Sequence, residues 1–260
     1  MRPSYATPAI VLRTRPFGES DKIVSFLTER FGKVTGIAKG ALRSRKRFVN
    51  SLEPLAIVNL RFQDRPHSNL AFILNAELIL GYRKLATSLE RICHAAYLVD
   101  ITDGLVGERE ESLAVYQHLR DSLRYLEQSG TSLRFLTAFE LKLLRLVGYQ
   151  PVLDHCIRCG RHRFEVADHR WYFSIFDGGI FCDSCADSRQ EMLLLDAKAI
   201  ELLHALLSEP GDLSLSLPLP LSLIKDMRAV MLRFIQFHMV REIRSASFLE
   251  RFATANFGKS

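Results

Sequence analysis

Two hydrophobic periodicities divide the chain. Up to residue 80 the apolar positions come as short runs and alternations. AIVLRTR alternates over Ile10–Arg15, and KIVSFLT covers Lys22–Thr28. GKVTGIAKG follows a turn at Glu29–Phe31, and LAIVNLRF and LAFILNAELI occupy 55–62 and 70–79. Runs of this length, rich in β-branched and aromatic residues and separated by Gly, Pro, Asp and Asn, predict five strands. Five short antiparallel strands in so small a segment suit a closed barrel of the OB-fold or SH3-like kind. The longest break, KGALRSRKRFVN, lies between the third and fourth strands.

Beyond Gly81 the apolar residues recur every three to four positions, over Arg91–Val106, Ser112–Leu126 and Leu133–Val147. That spacing predicts helices. Ser132 is placed to cap the third of them, and Gly148, with Pro151 beyond, stops it. A cysteine-bearing segment follows. Asp196 then stands as a cap before AKAIELLHALL, a low-complexity loop LSLSLPLPLSL intervenes, and a last helix runs from Leu221 to Ile243. The expected architecture is multidomain α+β, with an N-terminal barrel over 1–80 and a helical domain over 81–260 interrupted by a module at 150–190.

Composition bounds the function. The 260 residues are 48% apolar and 25% charged, which is globular. No uncharged apolar run reaches the ~18 residues of a membrane helix, and the first residues lack the apolar block of a secretory signal. A cytoplasmic, reducing location without membrane partners is the expectation. The net charge of +6 is unevenly spread: residues 1–80 hold 13 Lys and Arg against 6 Asp and Glu, and residues 81–260 hold 22 against 23. A basic excess confined to the barrel segment points to a polyanion partner there.

Four of the five cysteines form two C-x-x-C pairs, Cys156/Cys159 and Cys182/Cys185, with 22 residues between the pairs. In a reducing compartment such a cluster points to metal or catalysis rather than disulfides. The spacing is close to the about 15–20 residues of zinc sites built from two such pairs. Two tight turns supply four sulfurs to a tetrahedral ion, and Gly160 suits the positive φ of the first turn. Asp177–Gly178–Gly179, between strand-like residues, predicts a hairpin that returns the second pair to the first. The module therefore reads as a zinc ribbon. Four thiolates leave no open coordination position, so the single Zn²⁺ is structural. No βαβ pattern supports a redox C-x-x-C. His155, His162 and His169 lie close enough for one to replace a cysteine, while Cys93 in ICHAAYLV is expected in the core.

Phosphate-cradling, dinucleotide, metalloprotease and serine-hydrolase motifs are all missing. His94, His118, His204 and His238 are scattered through helical patterns as core or boundary residues. Binding is thus favoured over catalysis. Lys39, Arg43, Arg45, Lys46 and Arg47 place five cations in nine residues, the sharpest nucleic-acid signal in the chain. Arg13, Arg15 and Lys33 are the next candidates. Phe17, Phe48 and Phe62 are available either to stack bases or to fill the barrel.

In this order, the strand-rich start with KGALRSRKR, then FELKLLRLVGYQPVLDHCIRCG, GGIFCDSC and HMVREIRSASFLERF resemble the bacterial RecO family of recombination mediators. The resemblance covers nearly the whole chain. It implies an OB-fold, a helical domain and an inserted zinc ribbon that some members lack. It also implies a cytoplasmic, nucleoid-associated protein of recombinational repair that binds single- and double-stranded DNA and anneals complementary strands. With RecR, such a protein helps load RecA onto DNA coated by single-strand-binding protein. The resemblance further implies that the helical domain binds the acidic, apolar-ended C-terminal tail of single-strand-binding protein. A groove for that tail needs an apolar pocket flanked by cations. Arg134, Lys142 and Arg145, set among Phe135, Phe139 and Leu143, offer both, although the same cations also suit the solvated face of a core helix. Two other functions fit the residues less well: a zinc-ribbon protein of RNA or transcription, and a metal-dependent nuclease.

Overall fold

The computed structural model describes residues 3–44, 46–163, 170–187, 191–208, 221–239, 241–243, 245 and 249. Five strands, β1 (Tyr5–Phe17), β2 (Asp21–Thr28), β3 (Lys33–Ala38), β4 (Ile57–Gln63) and β5 (Ala71–Leu80), close a barrel in the order β1-β2-β3-β5-β4. All pairings are antiparallel except β3 with β5, which gives the OB-fold topology. β1 outruns its alternating stretch at both ends because it pairs with β2 over one half and β4 over the other. Val11, Val24, Phe26, Val34, Leu60, Phe62 and Ile73 fill the interior. Gly36 is required there, since a Cβ would lie 2.4 Å from the Ile73 side chain.

Helices follow: α1 (Arg83–Ala86), α2 (Leu89–Leu105), α3 (Leu113–Ser129) and α4 (Leu133–Leu146). Ser88, Ser112 and Ser132 each cap one of the three longer helices by accepting a bond from the backbone N–H three residues on. Each such bond satisfies a backbone donor that the helix start leaves without a partner. A three-stranded sheet, β7-β6-β8, is made of β6 (Trp171–Ser174), β7 (Gly179–Cys182) and β8 (Met192–Leu195). α5 (Ala197–Ser208) follows, started by the Asp196 carboxylate accepting from the Lys198 N–H, and then α6 (Leu221–His238). α6 stops short of Ile243, and the Gln236 side chain turns back to donate to the Arg241 carbonyl. The low-complexity loop before α6 lies largely outside the described residues, as do His169 and most of the C-terminal motif.

The chain forms two compact units, one of residues 1–131 with 243–260 and the other of residues 132–242. The change of periodicity at Gly81 marks where strands give way to helices, while α1–α3 belong to the barrel's unit. Cys93 is half-buried rather than in the core: α2 turns His94, Ala95, Tyr97, Leu98 and Ile101 inward and leaves Cys93 on the flank. No helix among the described residues is long and apolar enough to cross a membrane.

Candidate metal centre and nucleic-acid interface

Cys182 ends β7, opposite Trp171 of β6, so the β6–β7 hairpin delivers the second cysteine pair. Its turn has Gly178 at φ 69°, and Gly179 is tight because a Cβ would meet the Ile157 side chain at 2.8 Å. The first pair is stitched onto this hairpin. The Val152 N–H donates to the Gly178 carbonyl (2.9 Å), and the Ile157 N–H to the Ile180 carbonyl (3.0 Å). Each pair then turns sharply, with the Gly160 N–H on the Cys156 carbonyl (2.8 Å, Gly160 at φ 72°) and the Cys185 N–H on the Cys182 carbonyl (2.9 Å).

These turns bring the four sulfurs within 4.8 Å of one another, with Cys159 and Cys182 at 3.8 Å. Zn–S bonds of about 2.3 Å in a tetrahedron require sulfurs about 3.8 Å apart, so the cage of four free cysteines fits such an ion. Among the described residues this is the one group of metal-ligating side chains, and no carboxylate cluster accompanies it. His155 and His162 are not part of this group, and their rings lie 5.8 Å apart at a tilt of 54°. Electrostatics favours one thiolate and resists more. Burial works against the Cys156 charge, but the backbone N–H groups of Cys182, Cys159 and Arg158 outweigh it and bring the thiol down to about 6. The Cys185 thiol, bonded to Cys182 and then penalised by burial, is pushed up to about 12. Several thiolates crowded together need a cation to be stable.

The basic segment is a structured loop. A 3₁₀ turn, Ala41–Arg43, opens it after Gly40, which sits at φ 67°. The Gly40 N–H donates to the Asp21 carboxylate (2.8 Å), which also holds the Lys39 ammonium at 2.6 Å. That ammonium first, and then the N–H, keep the Asp21 carboxyl below its ordinary 3.8. The Leu42 N–H donates to the Ser20 carbonyl, the Arg47 guanidinium to the Lys39 carbonyl, and the Ala76 N–H of β5 to the Arg47 carbonyl. Phe48 is buried in the barrel core and pins the far end. Arg43, Lys46 and Arg47 are exposed, with Lys39 beside them. Arg45 lies outside the described residues.

Phe62 and Phe48 are both core residues, whereas Phe17 is 47% exposed and so is free of the packing role. Arg15 is exposed, and Arg13 is exposed too but has its Nε 3.3 Å from the buried Asp103 carboxylate. Lys33 is a correction: it is only 9% exposed, donates to the Asp103 carbonyl (2.7 Å) and faces the Asp103 carboxylate (3.6 Å). It is a buried ion-pair partner of α2, not a surface cation. Phe135 and Phe139 also need correcting, since at 3% and 2% exposure they fill the core of their unit rather than an open groove. α4 buries a broad face against α5 and α6, which leaves Arg134 and Lys142 half-buried and Arg145 exposed.

Two features lie outside the candidate list. β2 and β3, a common nucleic-acid face of OB-folds, are buried nearly throughout. α3 packs on β1 and β2, and the 107–110 turn binds β3 through the Arg109 N–H to the Lys33 carbonyl and Glu108 to Thr35. The sequence carries part of the signal: IVSFLT has apolar residues at adjacent positions, Ile23–Val24 and Phe26–Leu27, rather than a strict alternation, which suits a strand covered on both faces. The second feature is a cleft of about 400 Å³ beside the basic loop, lined by Leu42, Ser44, Val49 and Asn50 with Lys22 and Glu53. Its walls come from Lys22 at the start of β2 and from the chain between residues 41 and 53, and no local pattern joins the two.

Residues 1–82 match the family model described as Recombination protein O N terminal, and residues 86–247 match its C-terminal counterpart. The chain is 38% identical over 184 residues to the DNA repair protein RecO of Syntrophus aciditrophicus, covering 71% of this chain and 70% of that protein. It is 31% identical to that of Anaeromyxobacter dehalogenans (93% and 94% covered) and 29% identical to that of Caldanaerobacter subterraneus (93% and 96%). The two halves of the family description thus fall on this chain in order, the first on the barrel and the second on the helices and the cysteine cage, and the chain belongs to the RecO family of DNA repair proteins.

Proposed function

We propose that the chain is a recombination mediator whose barrel binds single- and double-stranded DNA through the loop at 39–50. It anneals complementary strands. With RecR it promotes RecA loading on DNA coated by single-strand-binding protein, whose tail it engages, and it acts at the nucleoid in the cytoplasm. It works by binding rather than catalysis, and its cage holds one structural Zn²⁺. The observation that carries the DNA reading is a cluster of exposed cations on a loop tied to the barrel by several backbone bonds, so the charges are held in place before a phosphate arrives. With the β2–β3 face covered, this loop gathers the densest run of exposed cations in the first third. Arg13 and Arg15 extend the set along β1.

Salt titration tests it. Each phosphate neutralised contributes about −0.7 to the slope of log K against log salt for single strands, and about −0.9 for duplex. Replacing Arg43, Lys46 and Arg47 with Ala should flatten the slope by about 2 on single strands and somewhat more on duplex. Anisotropy with labelled oligonucleotides, with and without Mg²⁺, reads this out. Annealing without degradation is the expected activity, and an unchanged slope in the triple variant would move the DNA site off this loop.

A further inference from the structure

The cleft beside the loop suggests which form of DNA the site prefers. It lies between the start of β2, the 3₁₀ turn and the chain that leaves Phe48, and its volume of about 400 Å³ exceeds that of a nucleobase. Two apolar side chains stand at its rim, Leu42 at 49% and Val49 at 51% exposure, uncommon positions for large aliphatics on so basic a segment. Polar groups lie within: the Ser44 hydroxyl, the Asn50 amide, and the Lys22 ammonium bonded to the Glu53 carboxylate at 2.8 Å. Asn50 and Leu55, both at positive φ, shape the turn that frames this wall. A concave site that sets exposed aliphatic side chains beside several polar groups suits a small planar heterocycle with a polar edge. Arg43, Lys46 and Arg47, exposed on the same loop and next in sequence to the lining residues, suit the phosphates on either side of that heterocycle.

We infer that this cleft takes one unstacked base of single-stranded DNA, held between Leu42 and Val49 while the loop cations hold the flanking phosphates. Duplex DNA keeps its bases stacked and paired, and presenting one costs a few kcal/mol. The loop therefore binds duplex through the backbone alone and gains an extra contact from a single strand. The polar floor has donors and acceptors of both kinds, so the contact tolerates any base. This inference rests on the loop being the DNA site and adds the substrate form.

The test uses the full chain and three probes of equal length: a 15-nucleotide single strand, the same strand with abasic sites through its centre, and the duplex. Leu42→Ser and Val49→Ser alter exposed rim positions without touching the core. The expected result is about tenfold weaker binding of the base-bearing strand by the double variant, in line with the apolar area that the two aliphatic side chains would bury against a base. Abasic and duplex binding and the salt slope should stay as in the parent. A parent protein that binds the abasic strand as tightly as the base-bearing one would overturn the cleft, as would a rim variant that behaves like the parent or weakens all three probes alike. The Arg43, Lys46 and Arg47 variant separates the two levels. If it flattens the salt slope while the rim variants do nothing, the loop stands and the cleft falls; if it changes nothing, the loop itself is wrong.

Discussion

Cys159 is the exposed member of a cage whose partners Cys156 and Cys182 are fully buried, so its sulfur can be removed without opening a cavity. Cys159→Ser should cost a large share of the about 10–16 kcal/mol that a structural zinc site contributes at neutral pH. Metal analysis should find one zinc per parent chain and much less in the variant, with thermal unfolding of residues 150–195 at lower temperature and the barrel unchanged. Retention of a full equivalent of zinc by the Ser variant would refute the four-thiolate assignment. These ligands were legible because two C-x-x-C pairs announce themselves in sequence. Lys33 shows the opposite case. Its strand context resembles that of Arg13 or Arg15, and only the chain at Asp103–Arg109, some 70 residues away, covers it, while Arg13 reaches the same Asp103 carboxylate from solvent.

At the scale of elements, the local signals carried far. Serine caps, the stop at Gly148 and the Asp–Gly–Gly turn each act within a few residues, so the sequence displays their cause directly. What it does not display is which helical face meets which neighbour. α4 looks amphipathic with cations to spare, yet its buried face includes Glu140, which is fully buried and accepts a bond from Arg228 of α6 at 2.8 Å. Arg228→Ala removes the cation facing a carboxylate sealed from water, a change expected to cost about 3–5 kcal/mol. A shift of the urea midpoint measures it. A Glu140→Leu/Arg228→Met double variant should recover most of the loss, because an apolar pair of similar volume is close to neutral in place of a buried ion pair. If the single variant is as stable as the parent, the pair does not hold α4 to α6.

Across the whole molecule, the charge asymmetry already placed the basic surface in the first third, and both family models meet near the point where strands give way to helices. Composition could not show that three helices share a compact unit with the barrel, nor that they cover the strand face another OB-fold would use, because such coverage depends on contacts distant in sequence. One consequence of the pinned basic loop concerns its survival in a cell. A stretch this rich in Lys and Arg is the preferred diet of trypsin-like proteases, which need several residues to peel away and lie extended in their active sites. Here the Asp21 carboxylate, the Ser20 carbonyl and the buried Phe48 ring oppose that peeling. The carboxylate tether, with its depressed pKa, persists at neutral pH and is lost only as pH falls below the ordinary 3.8. Under native conditions trypsin should therefore clip the loop of an Asp21→Ala variant faster than that of the parent, since weakening the tether raises the population of locally opened, cleavable loop. Equal clipping rates would show that the loop opens freely with or without its tether. Slow clipping would mean that the same few contacts that fix the loop on the barrel also keep the chain whole.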